Sequence, residues 1–520
     1  MTAPYIPQLH QRKAIMSKNT SRRVAAALAL TGSAALLLSG CFSGGGGGGG
    51  NGGSGDERIQ VAMMQPPKSN MNPFSDDAFK LSRWSTGETL VRLNEDIEIE
   101  GMLATKWEQT DDRTWVFTLR DDVTFHDGTP FNAESVKNTL DRAMQATPPP
   151  RALNGVVLTT EATGEFEVTI TTDVVDPLLP NRLASPQMSI LSEAAYQDDG
   201  TVSPVGTGTG PFVLTDVNGS TTATLDRFED YWGEPAAAAG IDASFVPDGA
   251  ARAGSLRSGE VDVAETIPVS QIGLLDEGTA HEVQQTRTTY VALNTKTGAF
   301  ADQAVRAAAR EAVDPKGIVE GVYEGHADPA TGLLGPAIPW AADLRGDVAS
   351  SAKAGDVSGT KITLATYTDR AELPEIAVQL EKQLEDAGFD VTQDVREYVN
   401  MEKDMLGGGF DAVIYSRNTL LDTGDPLSFL AQDFMCGGGT NVAQLCNDDV
   451  DKLIAAGQEL PVGEDRQKAT MAAEAAILQL DAAIPLVHDR VVQGEAGTFT
   501  DVVRDPLERL LINEKTRPVE

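Results

Sequence analysis

Residues 103–137 read L-A-T-K-W-E-Q-T-D-D-R-T-W-V-F-T-L-R-D-D-V-T-F-H-D-G-T-P-F-N-A-E-S-V-K, and no other stretch narrows the fold as far. Trp115, Phe117 and Leu119 alternate with polar or smaller neighbours, the period of a strand with one buried face. Asp127-Gly128-Thr129-Pro130 is turn chemistry, with Gly128 free to take a positive φ. Asn132 then stands as an N-cap with Glu134 in the first turn, and Val136, Leu140 and Met144 follow at helical spacing. The pattern predicts a strand, a turn and a helix packed together, a framework rather than a reactive site.

The chain opens with an address. From Met16 it runs through Lys18, Arg22 and Arg23 into an apolar stretch, residues 24–38, and closes with L-S-G-C at Cys41. A basic region, a short apolar core and small residues before the cut read as a secretory signal peptide over residues 1–40. The apolar stretch is too short to span a bilayer comfortably. Residues 42–55, nearly all Gly and Ser, read as a flexible tether with a reach of roughly 20 Å. Residues 56–520 are too many for one hydrophobic core, so two or three domains are expected. The formal net charge is −36, and residues 1–40 carry basic but no acidic side chains, so the remainder is more acidic still. Such a balance argues against nucleic acid and against an electrostatic grip on anionic lipid.

Further along, the clearest α/β stretch is residues 361–415. A strand over 361–367 precedes a helix from Pro374 that places Ile376, Leu380 and Leu384 on one face and stops at Gly388. Phe389, Val391 and Val395 mark another strand, and F-D-A-V-I-Y at 410–415 a buried one. Strand–helix–strand alternation implies a parallel sheet. A late helix over 464–480 precedes I-P-L-V-H at 484–488. Gly206, Gly208 and Gly210 do not make a phosphate loop, because no G-K-[ST] follows and a strand comes next.

Catalytic signatures are missing. His126, His281, His326 and His488 are scattered, and no H-E-x-x-H, C-x-x-C, EF-hand or G-x-S-x-G spacing occurs. No enzyme activity, cofactor or metal is therefore expected, with an exported hydrolase kept as an alternative because glycosidase acids need no fixed spacing. Cys436 and Cys446 form a close pair that in an exported chain reads as a disulfide. A metal site is the alternative, for which no further His or Cys stands nearby.

Three segments together resemble the family 5 extracellular solute-binding proteins of bacterial ABC importers. They are residues 103–137, P-V-G-T-G-T-G-P-F at 204–212 with D-Y-W-G-E-P at 230–235, and L-R-S-G-E-V-D-V-A at 256–264 continuing to Y-V-A-L-N-T and D-Q-A-V-R at 290–306. The resemblance implies a bilobal α/β periplasmic-binding fold of the large three-subdomain class, with the ligand cleft between lobes. It places lobe I in residues 56–98, 205–290 and 491–520, an accessory subdomain in 99–204 and lobe II in 291–490. The strand around 290–295 would cross between lobes. Leu38-Ser39-Gly40-Cys41 separately resembles a bacterial lipobox, which implies lipid on Cys41 anchoring the mature protein outside the cytoplasm, at the outer face or periplasmic side of the membrane. Peptides are the expected solute, with a nickel chelate, haem, sugar or siderophore as alternatives, and the partners would be a permease and its ATPase. Peptide-binding relatives carry D-x-x-[DE]-P after a buried strand, the first Asp holding the peptide α-amine; here that Asp is Asp422, completed by Asp425-Pro426. Thr419 stands where those relatives usually have an aromatic residue. The candidate ligand-binding residues are thus Tyr415, Arg417, Thr419 and Asp422, with His488 from the late strand. The lipid assignment is checked by fractionation: Cys41→Ser protein should be released or kept as an unlipidated precursor, and membrane-bound protein of wild-type mass would reject it.

Overall fold

The computed structural model describes residues 57–94, 96–420 and 422–519; the expected signal peptide, Cys41 and the tether lie outside the described residues. The segment 103–137 forms the strands Ala104–Asp111 and Thr114–Leu119, then the helix Ala133–Gln145. Asn132 Oδ1 accepts from Ser135 N at 3.1 Å, and Ser135 Oγ accepts in return from Asn132 N at 3.2 Å. This reciprocal cap satisfies two backbone donors at the helix start. The two strands join Glu167–Thr172 and Leu158–Gly164 in a four-stranded antiparallel sheet. Phe117, Val136 and Leu140 are buried in its core.

The glycine-rich segment is also framework. Glu88 accepts from Thr209 Oγ1 at 2.8 Å, Tyr231 Oη at 2.8 Å and Trp232 Nε1 at 2.9 Å, which ties both halves of residues 204–235 to one buried carboxylate. A Cβ at Gly208 or Gly210 would collide with the carbonyls of Thr86 or Ser85, so the close backbone approach requires glycine there.

A larger, 11-stranded sheet organises the rest of the described residues. At one end Phe389–Arg396, Thr360–Tyr367 and Ala412–Asn418 run parallel. Between the first two, the helix Glu372–Asp386 buries Leu373, Ile376, Ala377, Leu380 and Leu384, one face at helical spacing. At the other end Val263–Ile267, Arg58–Met63 and Gly240–Phe245 run parallel, followed by the antiparallel Thr222–Arg227 and Phe212–Asn218. Two long antiparallel strands, Ala280–Leu293 and Ala483–Glu495, join these halves. Their pairing is interrupted between Gln284 and Thr288. On one side of the interruption Ala280–Leu293 lies against Ala412–Asn418, and on the other Ala483–Glu495 lies against Val263–Ile267. One large core surrounds the first half, and two smaller clusters the second. The sulfurs of Cys436 and Cys446 are joined in a disulfide just beyond the helix Pro426–Phe434.

Candidate functional site

The site begins where the buried strand Ala412–Asn418 ends. Thr419 N and Oγ1 both donate to Thr286 O, at 2.8 and 2.9 Å, which pins the chain to the neighbouring long strand. Six residues on, Asp425 caps the helix Pro426–Phe434 by accepting from Ser428 N at 3.1 Å. Arg466 clamps Asp425 from behind, at 3.1 and 2.8 Å. Gly424 takes φ +68°, and a Cβ there would strike Leu93, so only glycine lets the loop turn against this neighbour. With both ends fixed, the loop projects Asp422.

Asp422 is not alone. Arg151, in the short turn Arg151–Leu153, donates to Asp422 Oδ1 at 3.1 Å and also to Asp76. Arg182 braces that turn by donating to the carbonyls of Ala152 and Asn154 at 2.7 and 3.1 Å. Burial works against the Arg151 charge, but Asp422 and Asp76 outweigh it and hold its pKa above the ordinary value. Arg509 bridges Ala184 O at 2.9 Å and Leu420 O at 3.2 Å. Three distant parts of the chain therefore meet in one cluster, with a guanidinium shared by two carboxylates. The cavity around it holds about 60 Å³, room for only a few waters.

Arg417, Thr419 and Asp422 all line this cavity. Arg417 is committed to Asp433 through two hydrogen bonds, of 2.8 and 2.9 Å. Tyr415 is buried among Tyr290 and Tyr367, with ring centroids 6.1 and 6.4 Å away, and does not line the cavity. His488 is enclosed in the sheet, its Nδ1 2.9 Å from Thr288 Oγ1; burial, helped by the Arg345 charge, draws its pKa down to about 4. Arg151 and Asp76 carried no signal in their local sequence. Nearby, Gln285 Oε1, Ser416 Oγ and Asn418 Nδ2 are buried without a hydrogen-bond partner among the described residues. Such groups on adjacent strands offer donors and acceptors to a polar guest.

A second charged group sits at the interruption between the long strands. Glu508 receives Arg287 through Nε and Nη2, both at 3.2 Å, and Arg83 lies 3.6 Å away. Arg83 also pairs with Glu265 at 2.7 Å, and Arg370 with Asp489 at 3.7 Å. Burial pushes the Glu508 carboxyl up, but Arg287, Arg83 and Arg370 outweigh it and hold it at about 2. A depressed carboxyl stabilises the fold above its unfolded pKa of about 4.3, and that contribution fades as pH falls toward the folded value.

The family model of the bacterial extracellular solute-binding proteins, family 5 Middle, matches residues 98–441. The nickel-binding protein NikA of Staphylococcus aureus is 28% identical over 442 residues, 82% of this chain and 86% of that protein. The glutathione-binding protein GsiB of Escherichia coli is 27% identical over 438 residues, 79% of this chain and 85% of that protein. The crystal structure of Staphylococcus aureus NikA with Ni(L-His)2 has a similar fold, with a TM-score of 0.75 at 23% identity over 89% of this chain and all of that one.

The Glu508 network yields a direct test. Urea midpoints of wild type should fall between pH 4.5 and pH 2.5, whereas Glu508→Gln should start lower at pH 7 and lose that component of the acid dependence. Parallel pH profiles for both proteins would show that Glu508 does not hold the network.

Proposed function

We propose that this chain, which belongs to the bacterial extracellular solute-binding proteins of family 5, captures a zwitterionic solute of the peptide class and presents it to its importer. Solute-binding proteins of this family are the extracytoplasmic capture subunits of ABC importers, working with a permease and an ATPase rather than turning a substrate over. One observation carries the finer reading: Arg151 stands between Asp422 and Asp76. A solute with only a positive end would displace Arg151 from Asp422 and leave the guanidinium to Asp76 alone. One with only a negative end would strand Asp422. A zwitterion gives its ammonium to Asp422 and its carboxylate to Arg151, so neither of these partly exposed charges loses a partner without gaining another.

The lobes are residues 56–98, 205–290 and 491–520 on one side and 291–490 on the other, with 99–204 as the accessory subdomain. They would close about the interrupted pairing at Gln284 and Thr288, where few ladder bonds oppose bending. Gln285, Ser416 and Asn418 would then bond the solute's backbone. The likeness to glutathione-binding GsiB agrees with a peptide. A second reading, a metal held by amino acids, is favoured by the likeness to NikA and its Ni(L-His)2 complex, since such a chelate also presents carboxylates. Lipid on Cys41 would hold the receptor at the membrane, with the glycine tether giving it reach.

Calorimetry with dipeptides tests this. N-acetylation or C-amidation should each weaken binding to wild type by roughly ten- to thirtyfold, about 1–2 kcal/mol, the low end for a partly exposed pair that already has a partner. Asp422→Asn should lose the sensitivity to acetylation, and Arg151→Gln the sensitivity to amidation. Equal losses in all three proteins would move the solute away from this pair.

A further inference from the structure

The charge cluster fixes the ends of a solute but says nothing of its side chains. Beside it lies a second, larger cavity of about 630 Å³, within the range of about 300–1,000 Å³ usual for small-molecule sites. Leu420 and Asp425 border both cavities, so the two are neighbours across the same loop. Three of the chain's five tryptophans line the larger one: Trp107, Trp115 and Trp340. Trp107 and Trp115 stand on paired strands of the four-stranded sheet and pack against its core. Trp340 stands on the helix Pro339–Leu344 and packs against the large core of the other side. Ile97 and the exposed Val462 complete the apolar wall. Of the charged residues that line it, Asp425 is neutralised by Arg466, which also bonds the carbonyls of Gly457, Gln458 and Leu460, while Asp96 and Glu98 stand exposed at the rim.

We infer that this tryptophan-walled cavity is a specificity pocket for a large apolar or aromatic side chain of the solute whose charged ends lie at Asp422 and Arg151. The inference rests on the zwitterion reading above. An aromatic ring there would bury apolar surface against the indole rings that line the cavity, and stacking adds to the burial. Walls drawn from two separate cores also mean that the side chain bridges them, so filling the pocket favours the closed form.

The experiment compares Phe-Ala and Ala-Phe with Gly-Gly by calorimetry, with tryptophan fluorescence as a second readout. Wild type should bind the better phenylalanine peptide about ten- to hundredfold more tightly than Gly-Gly, with a change in emission. Trp340→Ala and Val462→Asp should cut that preference to within about twofold while leaving Gly-Gly affinity unchanged. Val462 is 60% exposed, so its replacement keeps the fold even where the loss of Trp340 weakens it. Wild type that binds dipeptides without favouring phenylalanine, or Val462→Asp protein that keeps the full preference, overturns the pocket and leaves the zwitterion reading standing. Wild type that binds no dipeptide overturns both.

Discussion

The antiparallel pairing of Ala280–Leu293 with Ala483–Glu495 holds the two halves of the large sheet together. Every other strand of that sheet lies to one side of this pair or the other, apart from the short Ala327–Pro329 against Ala483–Glu495. The pair is regular at both ends and broken in the middle. Where it breaks, Thr286 N bonds Pro506 O instead of a sheet partner, and Arg287 turns to Glu508. Hydrogen bonding lost from the ladder is thus replaced by side chains and by the returning C-terminal segment. Glu508 holds φ +60°, an unfavourable conformation for a side chain of that kind, and two arginines bind it there. Charges of both signs balance at the break, which keeps a buried polar junction tolerable in a protein of net charge −36.

The same logic shapes the charge cluster beyond the strand Ala412–Asn418. Arg151, Asp76 and Asp422 come from three regions of sequence and satisfy one another. A cluster whose charges are matched lowers the cost of holding them away from bulk water.

Much of the framework was legible in the sequence. The strand–turn–helix of residues 103–137 and the helix carrying Ile376, Leu380 and Leu384 follow from periodicity, because each has one wet and one dry face. The long strands were only partly legible. The late strand continues past His488 through Asp489 and Arg490, where charged residues break the apolar period; Arg490 is neutralised by Asp328 and Glu282, far away in the chain. The other long strand begins in the polar run from Ala280 to Thr288 for the same reason. Asp422 could be singled out by its place after a buried strand, but Arg151 could not. Its partner is 271 positions away, and its neighbours are prolines that announce only a loop. His488 and Tyr415 were candidates for ligand contact, yet the sheet encloses both.

If the solute carries both charges, native mass spectrometry of the protein purified from its own cells, followed by release and fragmentation of whatever it holds, finds a small molecule with a free ammonium and a free carboxylate, alone or around a metal. A neutral sugar, or a haem without an amine, would contradict it.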